Sequence, residues 1–324
     1  MFLDFDTIKS ITRGAAGFIC ENGLVIPRRY TEAQIAYFDT LKGFPVRARC
    51  SAGLRFDLIS DTDSLKIEME YGEFYSSRKV TLDIFVDGAM VHSDEINAEG
   101  VYKAEFAKKG KKRITVWFPY TVEVKIKAVE LSDGALLEPY TAYSKNALFL
   151  GNSITQGCYT TFSANTLANI LAREYDWNAV NQGVSGFWFS GEWFDEALSF
   201  APDIIFAAYG TNDWSLCKDI EKFKASVHSF YSEVTKRYAG VPVVTLLPIW
   251  RADMGNERPY TFHGIRGTIA DIASTYPNVH IIDAFPFVPH LPEFFGDGNI
   301  HPNDLGFFAY ADGVSDELRR LGLI

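Results

Sequence analysis

Ala147–Leu150 (ALFL) runs directly into Gly151-Asn152-Ser153-Ile154-Thr155, and the reading of everything after Leu136 turns on this stretch. Four apolar residues without alternation describe a strand covered on both faces, and Gly-Asn-Ser after them describes a tight turn into a helix. The pattern recurs at Asn178–Asn181, Ile204–Tyr209 (IIFAAY), Val241–Leu247 (VPVVTLL) and Val279–Ile282 (VHII). Helix-length segments lie at about 162–174, 191–199, 217–238, 259–275 and 303–321. Parallel strands need crossovers, so this half is expected to be α/β, with a five-stranded parallel sheet between helical layers. Ligands in such folds bind at the carboxyl ends of the strands.

Upstream, from about Val46 to Leu131, the period changes to two. Gly53–Ile59 (GLRFDLI), Leu65–Tyr71 (LKIEMEY), Val80–Val86 (VTLDIFV), Arg113–Phe118 and Val122–Val129 alternate apolar with polar residues between turn signals. Asp87-Gly88 between two such runs is a hairpin turn. Many short strands without a long amphipathic helix predict a jelly-roll-like β-sandwich, placing one domain at residues 1–138 and a second at 139–324.

The charge sits in the second half. The net charge is −10; residues 1–138 carry 19 Lys and Arg against 21 Asp and Glu, whereas residues 139–324 carry 12 against 20. Nucleic-acid affinity rests on cations that neutralise phosphates, so a nucleic-acid partner is excluded. The one basic run, Lys108–Arg113 (KKGKKR), reads as a solvated hairpin tip. Cys20, Cys50, Cys158 and Cys217 are too dispersed for a metal cluster, and no metal or cofactor is implied. The N-terminus lacks the pattern of a signal peptide, and no apolar run is long enough to span a bilayer. A cytoplasmic protein is expected, or a secreted one if a leader has been removed.

The unusual clusters of the second half fall where the sheet rule places a site: Gly151-Asn152-Ser153, Asn181-Gln182-Gly183-Val184-Ser185-Gly186 and Gly210-Thr211-Asn212-Asp213 at the ends of the first three strands, and Asp297-Gly298-Asn299-Ile300-His301-Pro302 in the stretch after the fifth. The set supplies the parts for acyl transfer. Ser153 projects from a turn as a nucleophile, while the Gly183 N–H and the Asn212 amide are candidate oxyanion donors. Taken singly, Ser153 reads equally as a helix N-cap, and the Gly and Asn residues as turn-formers. A serine needs a base. His92 lies in the sandwich, His228 in a helix, His280 in an apolar strand and His290 between prolines; His263 sits in a helical stretch. His301 alone combines a loop position, a stiffening proline and an adjacent helix start.

The order G-N-S-I-T, N-x-G-x-x-G, G-T-N-D and H-P over about residues 145–324 resembles the four blocks of the SGNH hydrolases, also called GDSL-type esterases and lipases. The resemblance implies a flavodoxin-like three-layer α/β/α domain, with Ser153 as nucleophile, His301 as base, and the Ser153 N–H, Gly183 and Asn212 as the oxyanion hole. Asn152 stands where the family has Asp. The family's acid lies three residues before the His, a place held here by Gly298. Asp297 is the nearest substitute, Asp283 the runner-up, and a backbone carbonyl orienting the imidazole a third possibility. A sandwich ahead of such a domain is similar to the arrangement in a group of bacterial carbohydrate esterases.

The expected function is therefore a serine esterase acting on short acyl groups, acetyl foremost, of a small-molecule or oligosaccharide ester. The alternatives are a lipase or thioesterase for longer chains, and an inactive glycan-binding protein. Trp188, Trp193, Trp214 and Trp250 follow strand ends, and Trp188, Trp214 and Trp250 are the candidate substrate contacts. No membrane partner is expected.

Overall fold

The computed structural model describes residues 1–76 and 80–324. The chain divides into two compact units. One comprises Met1–Ser144 with Thr161–Ala164 and Asn178–Val180; the other comprises Lys145–Thr160, Asn165–Trp177 and Asn181–Ile324.

The first unit is a sandwich of two antiparallel sheets. One sheet runs in the order Thr12–Arg13, Arg55–Ser60, Lys112–Trp117, Thr81–Val86, Ala89–Glu95, with Leu137–Pro139 also paired to Arg55–Ser60. The other runs Gly17–Glu21, Leu24–Arg28, Val124–Leu131, Ser64–Tyr71, Val101–Glu105. Alternation gives each sheet one apolar face: Leu65, Ile67 and Met69 enter the same core as Phe56, Leu58, Ile84, Ile114 and Val116. A register shift between Ile126 and Ala128 moves the inward parity, so that Ile126 and Val129 both face the core.

Asp87 (φ 47°) and Gly88 (φ 84°) make the expected two-residue hairpin turn. Lys108–Arg113 does not: the strands on either side of it belong to different sheets, so the run is a crossover between sheets and not a hairpin tip. Its lysines pair outward, Lys109 with Asp63 and Lys111 with Glu138. The sandwich also begins earlier than its period-two stretch, with helices at Phe5–Ile11, Glu32–Asp39 and Pro45–Arg49 and a hairpin at Gly17–Arg28.

The remaining sheet consists of β1 (Lys145–Gly151), β2 (Trp177–Gly183), β3 (Ile204–Ala208), β4 (Val243–Leu246) and β5 (Val279–Ile282), in the order β2-β1-β3-β4-β5. The neighbours from β1 to β5 are parallel, with Ala147 beside Ile204, Ile205 beside Val243 and Val243 beside Val279. This is the flavodoxin-like order, whose switch point lies between β1 and β3. The helices are α1 (Ser153–Gln156), α2 (Leu167–Glu174), α3 (Thr211–Leu216), α4 (Ile220–Arg237), α5 (Phe262–Ala273) and α6 (Asp304–Arg320). Side-chain caps start most of them: Thr166, Asp219, Thr261 and Asn303 each accept a first-turn N–H.

Residues 191–199, expected to be helical, are not. Trp193 stacks on Phe194, and Phe194 packs on Phe230 of α4, so aromatic contacts fix this segment in place of a backbone ladder. Among the described residues, no helix is long and apolar enough to cross a membrane.

Candidate active site

Ser153 is reached through a turn that tolerates no side chain at Gly151, where a Cβ would lie 2.0 Å from Thr155 Oγ1 and 2.9 Å from the Ala208 carbonyl. Asn152 caps α1 by accepting the Ile154 N–H at 3.0 Å. A neutral amide oxygen therefore performs the turn-forming task, consistent with the substitution at that position. Ser153 is buried, the residue being 3% exposed.

His301 Nε2 is 2.8 Å from Ser153 Oγ, and His301 Nδ1 is 2.6 Å from Asp297 Oδ2. The extra residue between acid and base is absorbed by a compact loop. Gly298 adopts φ 68°, its N–H bonds the Phe295 carbonyl, and Phe295 bridges Pro302 across the loop's neck. Asp297 Oδ1 accepts the backbone N–H groups of Asn299, Ile300 and His301 at 2.9, 2.8 and 3.1 Å. One carboxylate oxygen thus organises the loop while the other meets the imidazole. Burial pushes this carboxyl up, but the His301 hydrogen bond and the Ile300 and Asn299 N–H groups outweigh it and hold it well below the usual carboxylate range.

Asp283 does not reach this cluster. It pairs with Arg266 and accepts the Phe285 N–H at 3.0 Å. The other histidines are also elsewhere: His92 contacts Asp94, His228 contacts Tyr276, His263 contacts Arg266 and His290 contacts the Phe285 carbonyl. His280 lies within β5.

The donors differ in part from the expectation. The Gly183 N–H, expected to face an oxyanion, donates instead to Asn181 Oδ1 at 2.9 Å. What Gly183 supplies is clearance, since a Cβ there would sit 2.4 Å from the Gln156 nitrogen. Three residues on, half-buried Gly186 (φ 84°) has an N–H with no protein acceptor among the described residues, and the same holds for Ser153. Sequence reasoning passed over Gly186; the signal for it was a second glycine in the same loop. Asn212, in the first turn of α3, gives one amide hydrogen to the Phe187 carbonyl at 2.9 Å and keeps the other.

Asp213 explains why that turn and the 183–189 loop stay together. Its two oxygens accept the Phe189 N–H at 3.0 Å and the Gly210 N–H at 2.8 Å. Burial pushes this carboxyl up to about 6, against the pull of those two N–H groups. A raised folded value means that its contribution to stability is complete below the ordinary 3.8 and is lost as pH rises through about 6. Asp213→Ala leaves both donors buried without an acceptor, at roughly 1–3 kcal/mol each. Thermal melting is expected to show a lower midpoint for this variant, with a larger deficit at pH 5 than at pH 8.

The candidate tryptophans separate. Trp214 is 2% exposed, the Arg251 and Arg258 guanidiniums lie 4.7 and 4.4 Å from its ring centroid, and its Nε1 donates to the Tyr260 carbonyl. So buried, it is not available to a ligand. Trp193 is equally buried. Trp188 and Trp250 are half-buried, Trp250 stacking on His290 at 5.3 Å.

Arg251, unmarked by any sequence motif, ties two of these segments together. It donates to the Thr211 carbonyl at 2.9 Å and forks onto Asp253. The loop carrying Asp253 is in turn bonded to Asn299, two residues from His301, through the Ala252 and Asp253 N–H groups.

A serine on a strand-to-helix turn at the carboxyl edge of a 2-1-3-4-5 sheet, hydrogen-bonded to a histidine from the loop after the last strand, defines an SGNH-type hydrolase domain. Residues 149–307 match the model of the GDSL-like lipase/acylhydrolase family, so the chain carries a domain of that family and is a serine ester hydrolase. No match is found among curated protein sequences.

Solved structures similar to this chain include a salicylyl-acyltransferase from a tetracycline biosynthetic pathway, with TM-score 0.82 and 20% identity over 97% of this chain and 95% of that one. A family two carbohydrate esterase from Clostridium thermocellum, in complex with cellohexaose, gives 0.65 and 16% over 85% and 95%. An acetyl xylan esterase from the rumen bacterium Butyrivibrio proteoclasticus gives 0.63 and 14% over 94% and 96%.

Proposed function

We propose that the chain removes short acyl groups, acetyl foremost, from a carbohydrate ester through a covalent acyl-enzyme. The observation that carries this reading is the continuous hydrogen-bond chain from Ser153 through His301 to Asp297. In the proposed cycle Ser153 Oγ attacks the ester carbonyl carbon while its proton passes to His301 Nε2. The carbonyl electron pair moves to oxygen, where the Ser153 and Gly186 N–H groups and the unshared Asn212 amide hydrogen receive it. The C–O bond to the sugar then breaks as His301 returns the proton to the sugar oxygen; water, deprotonated by His301, attacks the acyl carbon, the bond to Ser153 Oγ breaks, and His301 returns the proton to Oγ as the acid leaves.

Sugar binding rests on Trp188 and Trp250, half-buried rings of the kind that stack on the apolar faces of sugars, and on likeness to the carbohydrate esterases. The acyltransferase neighbour supports a second reading, in which an alcohol in place of water takes the acyl group.

The test is a chain-length series. Turnover is expected to be highest on two-carbon esters, with acetate released from acetylated oligosaccharides and no loss in EDTA. Rates that climb toward ten-carbon esters, without acetate release, indicate the lipase reading. Absence of any covalent fluorophosphonate adduct on Ser153 indicates a binding protein. Partition of the acyl group between water and added alcohols tests the transferase reading. Asn212→Ala is expected to lower kcat on the order of 100- to 1000-fold, the loss typical of one oxyanion donor.

A further inference from the structure

We infer that Tyr159 is a positioning residue for His301, its ring face holding the imidazole in plane and stabilising the imidazolium that forms when Ser153 gives up its proton. The inference rests on the serine-esterase reading above and adds to it a residue that none of the sequence motifs contains.

The Tyr159 ring lies parallel to the His301 imidazole, with centroids 4.8 Å apart and 11° between planes. The hydrogen bonds to Asp297 and Ser153 lie at the edges of the imidazole and fix its two nitrogens. Rotation about the axis joining those nitrogens is left to the faces, and Tyr159 covers one of them. A π-face against a ring that becomes cationic is attractive, and more so away from water. Asp297 is the charged group bonded to the imidazole, and Asp304, on the helix that follows, is engaged by Asn165.

The backbone gives an independent reason to regard the contact as specific. Tyr159 has φ 82°, a left-handed conformation that bulky residues seldom adopt, and such strain persists only where the surroundings impose it. α1 ends at Gly157 (φ 97°), and the Thr160 N–H returns to the Gly157 carbonyl at 3.3 Å, so the chain doubles back within four residues of α1. From the other side Gly296 presses against Tyr159: a Cβ at 296 would lie 2.7 Å from Tyr159 Cβ and 2.9 Å from its carbonyl oxygen. Gly296 in turn donates its N–H to the His301 carbonyl at 2.8 Å. The residue that stacks on the base is thereby clamped by the loop that carries the base.

The test compares Tyr159→Phe, Tyr159→Leu and Gly296→Ala with Ser153→Ala on one activated acetate ester. Tyr159→Phe keeps the face and is expected within about twofold of wild type. Tyr159→Leu keeps bulk and loses the face; kcat/KM is expected to fall about 5- to 30-fold, mostly in kcat. The acid limb of its kcat/KM profile is expected to move to lower pH, because the cationic imidazole has lost a stabilising neighbour. Gly296→Ala, which displaces the ring without removing it, is expected to show a loss of the same kind.

A Tyr159→Leu enzyme that melts lower yet keeps kcat and the acid limb overturns the inference, as does a Tyr159→Phe enzyme as impaired as Leu. If Tyr159→Leu does not fold, an unchanged acid limb in Gly296→Ala decides against it. Equal hydrolysis by wild type and Ser153→Ala marks failure of the esterase reading itself; a dead Ser153→Ala beside an unaffected Tyr159→Leu marks failure of this inference alone.

Discussion

Ser153→Ala is expected to abolish ester hydrolysis, with kcat reduced on the order of 10⁶-fold, the scale of loss when the serine of a comparable triad is removed. The reason lies in the geometry of the turn. Ser153 Oγ is the atom that His301 Nε2 meets at 2.8 Å, and it is carried by a turn that excludes a side chain at Gly151 and is capped by Asn152. Removing one oxygen at this place is expected to leave the fold intact and the proposed oxyanion donors without a covalent partner. The residual rate on an activated acetate ester, set against the uncatalysed rate in the same buffer, is the measurement. A variant that retains more than a few per cent of wild-type kcat would show that another group carries the acyl chain.

Asp297→Asn is expected to lower turnover by up to ~10⁴-fold, and Asp283→Asn to leave it near normal. Asp297 Oδ1 accepts three backbone N–H groups, so in the Asn variant the carbonyl oxygen is retained at that side and the new NH2 faces His301 Nδ1. A donor there favours the tautomer with its proton on Nε2, which cannot accept from Ser153. Because the Asp297 carboxyl is held well below the ordinary value of 3.8, it stays ionised through the mildly acidic range. Its contribution to stability is present above 3.8 and fades only as pH falls toward that lower folded value. Loss of wild-type activity between neutrality and pH 5 is therefore not expected to reflect protonation of Asp297. Asp283, paired with Arg266, is the internal control. Collapse of the Asp283→Asn variant with a healthy Asp297→Asn would exchange the two assignments.

Much of this architecture could be read from residue order. The parallel sheet was legible because its strands are unbroken apolar runs, and the sandwich because Ser64–Tyr71 and Thr81–Val86 alternate or lie between clear turns. The hairpin before Val46 escaped notice although Asn22-Gly23 (φ 51° and 77°) is as good a turn signal as Asp87-Gly88. Residues 191–199 looked helical by spacing, yet their aromatic rings find better partners on α4 than a helical face would allow.

At the site, Ser153 and Asn212 stand out in the sequence as a reactive and an amide side chain just past strand ends, and Asp297 and His301 as an acid and a base sharing one loop after the last strand. Gly183 and Gly186 were not separable, since which N–H is already occupied depends on where the Asn181 side chain turns. Trp214 reads in the sequence as a ligand contact, and only its burial, with the Arg251 and Arg258 guanidiniums packed on the ring, shows that it is not available to one. Tyr159 belongs to no motif; its relation to His301 spans 142 positions and exists only in three dimensions.

The bond between Ser153 and His301 joins residues 148 apart, and the loop bearing the base follows the last strand of the sheet. A contact of that span closes a long loop, and the base-bearing segment follows β5, which is tied to β1 only through β4 and β3, so its formation carries a large loop-closure entropy. A chain with β1 and α1 formed but the base-bearing loop not yet docked would hold a serine without a base, and the nucleophile would be silent until that loop docks. Recovery of turnover during refolding is therefore a clock for the final docking step, and it should trail recovery of the far-ultraviolet signal from the earlier helices and strands.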